Sequence, residues 1–98
     1  MTRSIVLRRA AQRDFEEAAL WYEERRVGLG AVFVAEIDRA IGLVAESPER
    51  FPLMHRDVRC VRARRFPYSV FFRVEPTKIV VLAVFHARRN PAIWQRRA

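Results

Sequence analysis

Residues 79–85, Ile-Val-Val-Leu-Ala-Val-Phe, are apolar at every position. An extended segment points successive side chains to opposite faces, so this run offers no face to water. It predicts a central strand, covered above and below. The run before it, Tyr68 to Glu75, alternates better: Tyr68, Val70, Phe72 and Val74 share one face, and Ser69, Phe71, Arg73 and Glu75 share the other. The short turn around Pro76-Thr77-Lys78 joins the two runs into a hairpin with arginine at its outer ends.

Upstream the period changes. Ser4 to Arg8 reads as a short strand. From Ala10 to Arg26, Ala11, Phe15, Ala18 and Tyr22 recur at steps of three and four, which predicts a helix. Gly28 and Gly30 interrupt it. Ala31 to Glu46 forms a second helix on Phe33, Ile37, Ala40, Ile41 and Val44, stopped at Ser47-Pro48. Pro48 to His55 reads as a loop, Asp57 to Arg65 as an arginine-rich strand, and Pro91 to Arg97 as a short helix or a tail anchored by Trp94. The order β-α-α-β-β-β predicts one α+β domain over residues 1–98. It is a two-layer sandwich with a helical hairpin on one face of an antiparallel sheet. The second face would be open, lined by Arg73 and by Arg62, Arg64 or Arg65.

Charge is divided between the halves. Residues 1–49 carry 7 arginines and 9 acids; residues 50–98 carry 11 arginines and one lysine against 2 acids. The first half is therefore −2, the second +10, and the chain +8. Guanidinium is weakly hydrated and grips carboxylate or phosphate with two prongs, so the basic half suits an anionic partner: nucleic acid, an acidic protein or an anionic membrane. No apolar stretch is long enough to span a bilayer, and no apolar core follows the N-terminal arginines as in a secretory signal. The lone Cys60 cannot form an internal disulfide and falls within a predicted strand, which fits packing in a reducing compartment. These features point to the cytoplasm. His55 and His86 without a cysteine pair make no metal site, and nothing calls for a cofactor.

Several short segments on this element order are similar to the RelE/ParE superfamily of bacterial toxins. They are Ser47-Pro48-Glu49-Arg50-Phe51-Pro52 after the second helix, Phe66-Pro67-Tyr68 opening a strand, and His86-Ala87-Arg88-Arg89-Asn90-Pro91 with Trp94 closing the chain. The resemblance implies the toxin of a type II toxin–antitoxin module, neutralised by an antitoxin encoded beside it. One branch cleaves mRNA in the ribosome; the other poisons DNA gyrase by binding. Phe66-Pro67-Tyr68 and the His86 to Pro91 ending resemble the ParE branch more. On that branch no catalytic residue is expected. Arg62, Arg64, Arg65, Phe71 and Arg73 would receive the antitoxin, unless Phe71 packs under the C-terminal tail instead. Arg88, Arg89 and Trp94 would reach the target, unless Trp94 closes the core instead.

The alternative is a ribosome-dependent mRNA endonuclease. Metal-free RNA cleavage needs a base, an acid and cations at the phosphate. The only lysine, Lys78, sits in the hairpin turn, which leaves Arg65 and Arg73 for charge and His86 as acid or base. His86 could equally be a strand-end histidine bonded to backbone. Glu16-Glu17 and Glu23-Glu24 are adjacent pairs on a helix and read as solvated surface.

Overall fold

A computed structural model describes residues 3–98. Among the described residues, five strands form one sheet in the order β1-β5-β4-β3-β2: β1 (Ser4–Leu7), β2 (Leu53–His55), β3 (Val58–Arg62), β4 (Tyr68–Val74) and β5 (Lys78–His86). As expected from its unbroken apolar run, β5 is an interior strand, between β1 and β4, and Ile79 to Phe85 are all buried. Neighbouring strands pair antiparallel from β5 to β2, whereas β1 lies parallel to β5, Ser4 opposite Lys78 and Leu7 opposite Val81. The sheet is therefore mixed. A parallel pair needs a crossover, and the helical hairpin supplies part of it. The segment read as a loop up to His55 contains β2, whose ladder is too short and irregular to mark the sequence.

Helices α1 (Arg9–Arg25) and α2 (Leu29–Glu46) cover one face. Ala11, Ala18, Phe33, Ile37, Ala40 and Val44 pack there against Val61, Val70, Phe72, Ile79, Val81 and Val84. The alternation of β4 holds: Val70 and Phe72 face the helices, and Phe71 faces away. Phe33 lies at the centre of an aromatic cluster, 5.2 Å from Tyr22, 5.2 Å from Phe66 and 5.0 Å from Tyr68 between ring centroids.

The hairpin turn is built by Gly28 and Glu23. Gly28 adopts φ 90°, open to glycine at little cost. The second helix begins at Leu29, not Ala31, and Gly30 lies inside it. Helix N-termini leave backbone N–H groups without partners. Here the Glu23 carboxylate accepts from Gly28 N–H at 3.0 Å and Gly30 N–H at 3.0 Å, so Glu23 is a cap rather than mere solvated surface.

The second sheet face is not open along its length. Val58, Cys60, Phe71, Leu82 and Phe85 form a second core, closed by a C-terminal helix, α3 (Ala92–Gln95). Trp94 is 4% exposed and Phe71 8%. Of the two places open to Phe71, it takes the one under the C-terminal tail: exposed aromatic surface is costly, and the C-terminal turn folds back to cover it.

Candidate functional site

The sheet ends on the Tyr68–His86 pair. Beyond it, Ala63 N–H donates to the Tyr68 carbonyl at 2.9 Å, and Ala87 N–H to the Pro67 carbonyl at 2.8 Å. These two bonds bring the chain after β3 beside the chain after β5. Arg62, Arg64 and Arg65 therefore stand at the same end of the sheet as Arg88 and Arg89. Arg62, Arg64, Arg65 and Arg88 are exposed and form no ion pair among the described residues.

Glu36 on α2 fixes this end. Its carboxylate accepts two hydrogen bonds from Arg39, at 2.8 and 2.7 Å, and a third from the Arg64 backbone N–H. The Arg39 bonds hold the Glu36 carboxyl down to about 2, helped by the Arg64 N–H and opposed by burial. Arg65, next along, takes φ 71°, an unfavourable conformation for a residue with a side chain. The Arg64-Arg65 turn is thus held in place by a tertiary contact.

His86 closes β5. Its Nδ1 accepts the Arg88 backbone N–H at 2.9 Å, so the neutral ring carries its proton on Nε2. The ring stands edge-on to Tyr68 at 5.1 Å. His86 and Arg89 also divide two clefts. One, of about 470 Å³, opens between α1 and the ends of β4 and β5; Trp21, Tyr22 and Tyr68 wall it, with Glu17 at its side. Burial pushes both tyrosine hydroxyls up, so they remain protonated donors. The other, of about 280 Å³, lies on the opposite sheet face between Ser69, Phe71, Phe85 and Trp94.

A carboxylate whose side chain is only 8% exposed holds the inner wall of the first cleft. Asp14 on α1 accepts from Arg97 Nη1 at 2.6 Å and from Val84 N–H at 3.1 Å. Arg97 in turn donates to the Leu82 carbonyl at 3.1 Å, and Arg8 Nη1 to the Arg97 carbonyl at 2.7 Å. Beyond the last residue of β1, two side chains thus satisfy the β5 edge where a strand would have done so. Arg89 lies 3.6 Å from Asp14 and 4.5 Å above the Phe85 ring.

The candidate residues divide accordingly. Arg62, Arg64, Arg65, Arg88 and Arg89 are brought together. Arg73 is on the second face as expected, but it lies five positions along β4 from Tyr68, roughly 17 Å at strand spacing. Its Nε sits 2.8 Å from Asp57 Oδ2, off the N–H line, so the contact is an ion pair and not a hydrogen bond. Of the three residues considered for RNA cleavage, Arg65 and His86 share an end of the sheet and Arg73 does not. Trp94 does not project: it is buried and stacked on Phe71, and the two rings reach the surface only as part of the wall of the second cleft. The only lysine, Lys78, opens β5 at the end opposite His86 and pairs with Glu75 at 3.9 Å. Cys60 is buried, and burial pushes its thiol up, away from nucleophilic use.

Asp14, Trp21, Tyr22 and Glu36 escaped the sequence reading of the site. Asp14 and Arg97 are 83 residues apart, and no periodicity links them. Trp21 had a visible signal: a tryptophan 49% exposed on a helix whose apolar stripe runs elsewhere.

The sequence matches a family model described as the ParE toxin of type II toxin–antitoxin systems, parDE, over residues 5–91. Among solved structures, the fold is similar to a chain of the chromosomal ParDE toxin–antitoxin system from P. aeruginosa. That match has a TM-score of 0.75 and 21% identity, covering 89% of this chain and 98% of the other. It is also similar to a chain of the RelBE2 toxin–antitoxin complex from Mycobacterium tuberculosis, with a TM-score of 0.60 and 22% identity over 88% and 99% of the two chains. At these identities the likeness to the solved structures is one of fold. No curated protein matches the sequence.

Proposed function

The chain belongs to the ParE toxin family of type II toxin–antitoxin systems, and on that premise we propose that it inhibits DNA gyrase by binding and is neutralised by a cognate antitoxin. An acidic antitoxin segment lies on Arg62, Arg64 and Arg65, with Arg73 further along the same sheet. Arg88 and Arg89 engage the target. Phe71 and Trp94 act from beneath, as the packed base of that surface.

The observation that carries this reading is the set of exposed guanidiniums, unpaired among the described residues, on the turn that Glu36 pins and at Arg88, two residues beyond the end of β5. Pre-set charge on a rigid frame favours association with an anionic partner. Binding rather than catalysis is supported by the dispersal of the cleavage candidates. Arg73 is paired off at a distance from His86, Lys78 lies at the other end of β5, and His86 spends Nδ1 on a backbone N–H.

Co-expression with the adjacent reading frame, followed by gel filtration, tests the neutralisation. One co-eluting complex, released by replacing Arg64 and Arg65 together, is expected. Separate elution at micromolar concentration would remove the antitoxin from the account. Immobilised toxin should also retain purified gyrase, and should lose it when Arg88 and Arg89 are replaced.

A further inference from the structure

The aromatic cleft beside the arginine ridge is not explained by an acidic peptide. We propose that together they form a binding site for single-stranded nucleic acid, with phosphates on the ridge and one unstacked base in the cleft.

The ridge supplies the phosphate contacts. Arg64, Arg65 and Arg88 are exposed and unpaired among the described residues. Arg89, 45% exposed, turns from the ridge into the cleft mouth. Arginine offers phosphate two parallel donors, and a run of such groups tracks a backbone without reading sequence.

The cleft supplies the base contact. Its walls are Trp21, Tyr22 and Tyr68, and it opens at the same end as the ridge. Asp14, though it lines the cleft, is already consumed by Arg97 and Val84 N–H. The polar groups left at its mouth are Glu17, His86 and Arg89, with protonated tyrosine hydroxyls on the wall. A planar ring with hydrogen-bonding edges fits such walls. A bare carboxylate side chain does not use them, and a cation would meet Arg89. The Trp21 face accepts a flat polar group already: Arg25 lies 3.9 Å above it. Non-specific single-strand sites combine these two parts, a basic track and aromatic stacking surfaces. A duplex, whose bases are stacked away, can use the ridge alone. A bound strand would compete with the antitoxin for Arg64 and Arg65 and with the target for Arg88 and Arg89.

The test is fluorescence anisotropy of the full-length protein with labelled homopolymer strands of about 12 nucleotides, DNA and RNA in parallel. Binding with Kd on the order of 10 µM at low salt is expected, with log Kd rising against log salt by about 0.7 per phosphate contact. Trp21→Ala should weaken binding roughly tenfold, and Trp21→Tyr should restore most of it, as stacking requires. Arg88→Ala should flatten the salt dependence by about one contact. Whichever strand binds more tightly names the source, DNA or RNA. A duplex of the same length binding as well as the single strand would overturn the base site. So would full affinity in Trp21→Ala. Displacement by a poly-glutamate peptide together with an inert Trp21 would assign the ridge to acidic protein instead. Absence of binding at about 100 µM in low salt would end the proposal outright.

Discussion

The Trp94 indole lies flat on the Phe71 ring, with centroids 3.9 Å apart and planes 14° from parallel. Met edge-on by Phe85 on the Phe71 side and by His55 on the Trp94 side, this pair is the centre of the second core. Trp94→Ala should destabilise the protein by about 3–5 kcal/mol through the cavity it leaves, and Trp94→Phe by clearly less. Truncation after Asn90 removes Trp94 and Arg97 together and should abolish cooperative unfolding. Thermal melts followed by circular dichroism read both. A truncated chain that melts like the full one would show that α3 is dispensable.

Asp14 and Arg97 complete the β5 edge. Asp14→Ala leaves the Val84 N–H and the Arg97 guanidinium without their acceptor, at a cost of about 2 kcal/mol. A double-mutant cycle with Arg97→Ala should show coupling, since the two side chains touch. Hydrogen exchange should quicken at the Val84 amide in either single variant. Additive losses would mean that the pair is incidental.

Two glycines of α2 should respond in opposite directions. A Cβ on Gly30 would stand 2.7 Å from the Ala19 carbonyl oxygen and 3.0 Å from Glu23 Cβ. Gly30→Ala should therefore separate the helices at a cost of about 1–3 kcal/mol. At Gly42 a Cβ meets nothing within 4 Å, so Gly42→Ala should stabilise by about 1 kcal/mol through helix propensity. Denaturant unfolding measures both signs.

Glu36 gives the fold a defined acid dependence. Its carboxyl is lowered from 4.5 to about 2, first by Arg39 and then by the Arg64 N–H. A carboxyl lowered by folding stabilises the ionised native state. That contribution is complete above pH 4.5 and disappears as pH falls towards 2. Wild type and Glu36→Gln should therefore differ most at neutral pH and converge in acid. An NMR titration of Glu36 with an ordinary midpoint would contradict this, and Arg39→Ala should move the midpoint up.

The sequence made the central strand, the helical hairpin and the face assignment of β4 legible, because each rests on local periodicity. Residues 79–85 could not have met water, and Ala11, Phe15, Ala18 and Tyr22 could share a face only in a helix. The parallel docking of β1 left no local mark, since a strand of four residues reads alike in either direction. For the site, the arginines were visible as composition, and their convergence was not. It depends on Ala87 bonding to Pro67 and on Glu36 reaching Arg64 across 28 residues. Trp94 was ambiguous for a physical reason: tryptophan serves cores and interfaces alike, and only the position of Phe71 beneath it decides between them.

We propose that this toxin acts by binding gyrase and not by cutting RNA. The most direct measurement compares wild type and His86→Ala in two assays: supercoiling by purified gyrase, and mRNA integrity in a translating extract. The account predicts that both proteins inhibit supercoiling to a similar extent and leave mRNA intact, while replacing Arg88 and Arg89 relieves the inhibition. Codon-positioned cleavage by the wild type, lost by ~10²-fold or more in His86→Ala with gyrase unaffected, would contradict it and make this protein a nuclease.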